Sequence, residues 1–222
     1  MNRRNQLRAL GRACLTLGLA ALAAACLPAC GMTLSYTVDE DMLQRLPKAS
    51  RRSVYQAETI VTIAIDAKGA VKRKIDNTIR EDDRLEAKIS EAKDRRGKAS
   101  GDQVAKIDLE IRMLRAKLDY NDAFVDHQRT VLKLSDLELL LARAQFELAK
   151  AQLIKKHSIQ GDMAVEDFEG QVKDIQARVA EFRKDVDEEA ADLKEEENRW
   201  LEAKKAYFAA IGESSKGWWT EQ

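Results

Sequence analysis

The 222-residue chain is 34% charged, 45% hydrophobic and only 5% aromatic. That is too few bulky side chains for a thick globular core and too much apolar content for disorder, a balance that suits thin helical bundles. The net charge of zero hides an asymmetry, since residues 1–29 carry Arg3, Arg4, Arg8 and Arg12 and no acid; without these four, 34 basic face 38 acidic groups, a net charge of −4. A concentrated basic face for nucleic acid is therefore not expected.

The chain opens on the cationic segment Met1 to Arg12, followed by an apolar run from Ala13 to Ala25 that is short for a membrane span and has the form of a secretion signal. Two cysteines then follow small residues, in Leu22-Ala23-Ala24-Ala25-Cys26 and in Leu27-Pro28-Ala29-Cys30. Both resemble the lipobox of bacterial lipoproteins, a resemblance that covers about the first 31 residues. It implies cleavage before a cysteine that then carries acyl chains such as palmitate. Cys30 has leucine three places upstream, is followed by Gly31 and leaves no free thiol in the mature chain; Cys26 has the more ordinary Ala24 where Cys30 has Pro28. Cys30 is preferred, with Cys26 the alternative, and Ala23 to Ala25 would also serve an ordinary signal peptidase. No acid follows either cysteine, which by the same resemblance favours the outer membrane, facing the periplasm or the cell surface. No cysteine lies beyond Cys30, so the mature chain has no internal disulfide.

Residues 30–49 are expected to be a lipidated N-terminus and tether, with one short helix signalled by Thr37 and Glu40 at capping-box spacing and stopped by Pro47. The helical body is expected over 50–213. Ser53 with Gln56 opens a first long helix, about 53–96, whose seam runs through Val61, Ala64, Val71, Ile75, Leu85, Ile89 and Ala92 with gaps at Lys68, Thr78 and Asp82. The β-branched run 59–65 could form a strand, but a lone hairpin would have no sheet to join, so it is taken as helix. The glycines of Gly97 to Gly101 mark a turn, and Ser100 with Gln103 opens a second helix, about 101–157. That helix keeps one heptad phase from Val104 to Leu153, and a second apolar track from Leu134 to Leu148 implies more than one neighbour. A turn at 157–162 leads to a third helix, about 162–212, ending near Gly212. Short turns make neighbours antiparallel, so the predicted fold is all-α: an elongated, antiparallel, up-down-up three-helix coiled-coil bundle, roughly 65–85 Å long at about 1.5 Å per residue.

Folding the second and third helices together about the 157–162 turn places Gln128 opposite Glu189 and Asn121 opposite Glu196, a polar layer at mid-bundle, with Lys72, Arg73, Lys74 and Arg80 at the same level. Such a layer either fixes register between helices or forms a partner or ion site at mid-bundle, and its buried carboxylates need partners. A tail over 214–222 closes with Trp218 and Trp219, which either cap the bundle end or anchor a protein partner or a lipid interface.

Chemistry is otherwise absent from the sequence. Gly97-Lys98-Ala99-Ser100 lacks the upstream glycine of a phosphate loop, which Ala92 occupies. His127 and His157 have no second ligand at helical spacing, so no metal site is expected. No nucleophile has a base at recognisable spacing, and no cofactor, catalytic residue or small-molecule substrate is implied. The expected function is a non-enzymatic envelope lipoprotein, held to the membrane by its N-terminal lipid, that serves as a coiled-coil scaffold and binds a protein partner or itself. The alternatives are a periplasmic holdase, resembling the helical-hairpin chaperones but lacking their basic character, and an accessory subunit of an envelope transport assembly, resembling adaptor hairpins but lacking their flanking domains.

Overall fold

A computed structural model of the chain describes residues 33–159 and 163–213, and from Leu34 onward they belong to one compact unit. The unit is all-helical, with a short α1 (Glu40–Gln44), a 3-10 turn (Lys48–Arg51), and three long helices: α2 (Arg52–Lys98), α3 (Asp102–Lys156) and α4 (Val165–Ile211). The long helices have 47, 55 and 47 residues, about 70 to 80 Å each at ~1.5 Å per residue.

Local chemistry explains the boundaries, in places differently from the sequence pattern. Asp39, not Thr37, caps α1, its Oδ1 accepting from the Asp41 amide at 3.1 Å. The 3-10 turn runs directly into α2, so Ser53 is already inside the helix and no side chain caps it. Residues 59–65 are helical. Thr59 and Thr62 accommodate this by donating their hydroxyls to the carbonyls of Tyr55 and Glu58, one turn back. Gly101, not Ser100, stands before α3, at φ 58 and ψ −135, a conformation that side chains with a Cβ strongly disfavour. Gly212 ends α4 in the left-handed conformation, and the Glu213 amide reaches the Phe208 carbonyl at 3.0 Å.

The two outer long helices each pack along α3, and among the described residues they have no comparable packing against each other. Against α2, the cluster of Leu85, Ile89, Met113 and Leu114 lies towards one end and that of Val71, Ile75 and Val125 lies further along. Ion pairs Arg95–Glu110, Glu81–Lys117 and Lys68–Asp136 follow the same descending register. Against α4, Ala151, Leu153 and Ile154 meet Val165 and Phe168, Glu138 pairs with Arg183, and Tyr120 stacks on Trp200.

Among the described residues there are four α-helices, the three long ones and the short helix expected within the tether, and the departure is that this segment docks into the core and does not stay a free tether. Val38, Leu43 and Leu46 are buried against Val54, Ile154, Val165 and Phe168, and each such side chain contributes about 1.5–3 kcal/mol before entropy is counted. Those three apolar residues need cover, and the ends of α3 and α4 supply it.

Two glycines separate turn chemistry from helix propensity. Gly101→Ala is expected to lower stability by about 1–3 kcal/mol, whereas Gly97→Ala, inside α2 with open space at its Cβ position, is expected to raise it by about 0.5 kcal/mol. Urea unfolding followed by far-ultraviolet circular dichroism measures both.

Candidate functional site

The docked N-terminal strap, residues 34–51, is held by more than its apolar residues. Gln171 of α4 treats it as a neighbouring strand would. Its Oε1 accepts from the Ser35 and Tyr36 amides at 2.7 and 3.0 Å, and its Nε2 donates to the Tyr36 carbonyl at 3.2 Å. Further along the strap, the buried Val38 amide donates to Glu147 Oε2 at 2.7 Å. Glu147 and Lys150 sit one helical turn apart on α3, which lets the Lys150 ammonium reach Glu147 Oε1 at 2.9 Å while also reaching Glu40 of the strap at 2.7 Å. The same ammonium lies 4.1 Å from the centre of the Phe146 ring.

Lys150 is only 3% exposed and Glu147 only 8%. Burial opposes the charge on Lys150, but hydrogen bonds from its ammonium to Glu40 and Glu147 outweigh burial and raise its pKa. The unfolded lysine titrates near 10.4, so this stabilisation is fully present below that pH and is lost as pH rises through the higher folded value. Arg51 closes the strap, its guanidinium donating to the carbonyls of Gln44 and Leu46 at 3.1 and 2.8 Å.

A second polar cluster lies at mid-helix. Asn121 is 1% exposed, and its amide donates to Asp82 at 2.7 Å and to Glu81 at 3.3 Å, both on α2. Lys117 stands 3.7 Å from Glu81 and over the rings of Tyr120 and Trp200 at 4.8 and 4.5 Å. Burial lowers the Lys117 pKa, partly offset by Glu81. Burial raises that of Asp82, against the hydrogen bond from Asn121 and with Asp122 and Glu81 acting in the same direction as burial.

This arrangement differs from the expected pairing of Asn121 with Glu196 and Gln128 with Glu189. Glu189 is exposed, and Glu196 accepts from Arg199 at 2.5 Å within its own helix. Asn121 turns to α2 because Asp82 offers a carboxylate on the face that packs against it, while Trp200 fills the α4 side of this level. Gln128 is buried, and its Oε1 receives no donor among the described residues. Lys72, Arg73 and Lys74 are exposed, and Arg80 bonds the Asp76 carbonyl and Asn77. The signal for the true partner lay in the first-helix seam, where Asp82 interrupts the apolar pattern.

Cys26, Cys30, Trp218 and Trp219 lie outside the described residues. His157 borders an open groove of about 500 Å³ with Ser50, Ser53 and Lys156, and His127 is a half-buried side chain of α3. At the other end of α2 an open groove of about 480 Å³ is lined by Arg95, Lys98, Lys106 and Tyr207. Among the described residues no cluster of three or more His, Cys, Asp or Glu could hold a metal ion, and no helix is long and apolar enough to cross a membrane.

Two substitutions test these clusters. Lys150→Met leaves Glu147 buried without its cation and is expected to cost about 3 kcal/mol, read as faster hydrogen exchange at the Val38 amide. Asp82 holds its proton more tightly in the fold than in the unfolded chain, whose Asp titrates near 3.9. Its contribution is therefore full below that pH and lost as pH rises through the folded value. Asp82→Asn keeps the oxygen that Asn121 reaches and removes the charge, so at pH 7 it is expected to stabilise by less than about 1 kcal/mol after solvent screening. That gain should disappear in thermal melts below about pH 4. Compared with protein-family models, curated proteins and solved structures, the chain matches none of them.

Proposed function

We propose that the chain is a non-enzymatic envelope lipoprotein, anchored through Cys30 or Cys26 and most consistent with the outer membrane, whose helical body acts as a scaffold for a protein partner. On this reading the long helices form an up-down-up arrangement that presents long side faces. The opposite running of paired residue numbers along α2–α3 and α3–α4 supports it.

The observation that carries the proposal is the use to which buried polar groups are put. Lys150, Glu147 and Asn121 are each engaged by a neighbouring segment of the same chain, so they hold elements together. That suits a body that keeps a shape behind an anchor. An envelope address also gives a reason for a docked strap, since the segment following a lipidated cysteine is the part through which the anchor acts on the rest.

The address is tested by metabolic labelling with a palmitate analogue. Label is expected on the wild-type chain and is lost in Cys30→Ser if that residue is acylated, or in Cys26→Ser if the other is; label retained in both single variants and in the double variant excludes the anchor. The scaffold reading predicts that in-cell crosslinking of the full chain recovers one partner in fixed stoichiometry. Suppression of aggregation of diverse unfolded proteins, with no such partner, would select the holdase instead.

A further inference from the structure

Seven large hydrophobic side chains are exposed among the described residues, and five of them, Tyr55, Ile60, Ile63, Ile65 and Ile79, lie on α2. At 100° per residue Tyr55, Ile60 and Ile63 fall on other sides of α2, as single exposed residues do on many helices, and only Ile65 and Ile79 share a side. Two of the five, Ile65 and Ile79 at 49% and 44% exposure, share a line with two charges. Glu58, Ile65, Lys72 and Ile79 recur every seven residues, the spacing at which one helix presents a straight seam to another. All four are exposed, and neither charged side chain makes an ion pair among the described residues.

We propose that this line pairs with the same line of a second copy of the chain, antiparallel and centred on Ile65. The charges choose the occupant and the register. A parallel pair would set Glu58 against Glu58 and Lys72 against Lys72. An antiparallel pair centred on Lys72 would oppose the two lysines, and one centred between Ile65 and Lys72 would set each isoleucine against a charge. Centring on Ile65 brings Ile65 onto Ile65 and each Glu58 onto a Lys72 of the other copy, and leaves each Ile79 facing Arg51, whose guanidinium is already held by the carbonyls of Gln44 and Leu46; centring on Ile79 would match Lys72 with Glu86 in the same way but would set each Ile65 against the exposed Lys93. The arrangement centred on Ile65 is self-complementary under a two-fold axis, as an isologous dimer requires. The contact uses the solvent side of α2, so it leaves the packing on α3 intact, and it stands independently of the envelope address.

The test uses the full chain with its three cysteines changed to serine. Ile65→Cys is expected to form a disulfide-linked dimer on mild oxidation, since the two-fold axis brings the paired thiols together. Ile63→Cys, more exposed at 62% but on another side of the helix, should not. Lys72→Glu or Glu58→Lys alone should cut the Ile65→Cys dimer yield about fivefold, and the two together should restore it, because exposed charge pairs are each worth at most a few-fold in affinity. Circular dichroism of each variant should match wild type. Equal crosslinking at positions 63 and 65, no rescue by the charge swap, or a monomer by light scattering at every concentration tried would overturn the proposal. Protection of the Ile65→Cys thiol by anionic lipid vesicles with no dimer formed would also overturn it and assign the line to a membrane surface.

Discussion

The breadth of the apolar surface on α3 constrains everything else. Its exposed residues through the middle are confined to one narrow stripe, Arg112, Arg115, Asp119, Asp122, Asp126, Arg129 and Lys133, and the rest of its circumference carries mostly apolar or uncharged polar side chains. A helix with that distribution cannot stand in water on one partner alone, because a single neighbour covers only one side. The outer long helices are narrower in their apolar faces and find their place by covering it. They have no need to pack on each other along their lengths, which is why the sides of α2 remain open.

Where the outer helices leave the end of α3 short of cover, the strap completes the enclosure, and it brings charge with it. A lysine and a glutamate so deeply buried would be a liability if either lost its partner. Here the chain supplies the remaining bonds from the strap itself, through the Val38 amide and Glu40. The cluster therefore favours one particular strap path over any other apolar segment of similar length, since a slid register would take Glu40 away from Lys150 and unseat Val38, Leu43 and Leu46.

Long-range periodicity made the three long helices legible in the sequence, with ends near Gly97 to Gly101 and Gly212 that the structure places within a few residues. The heptad phase of α3 and its second apolar track were plain because they repeat over many turns. The strap was not legible for the opposite reason. Val38, Leu43 and Leu46 follow no repeat, and the Thr37 and Glu40 pair suggested a cap while Asp39 supplied it. The mid-helix layer was half legible. Asn121 and Gln128 stand out as polar breaks in a buried seam, but their partners depend on how neighbouring helices are turned, which spacing alone does not determine. Asp82, a gap in the seam of the first long helix, carries the missing information, because a gap in one buried seam is a candidate partner for a polar residue in the next.

The order of contacts along the strap gives it a mechanical character. From Leu34 onward the bonds to the helical body come in series: Gln171 at Ser35 and Tyr36, then Glu147 at Val38, then Lys150 at Glu40, then the apolar anchors Leu43 and Leu46. Tension entering at the N-terminal end meets them one at a time, as in opening a zip, before it reaches the long helices. A chain pulled from that end would lengthen by unreeling the strap before its body yielded, and it would recover its original length when the load was removed, because Gln171, Glu147 and Lys150 stay in place on rigid helices to receive the strap again.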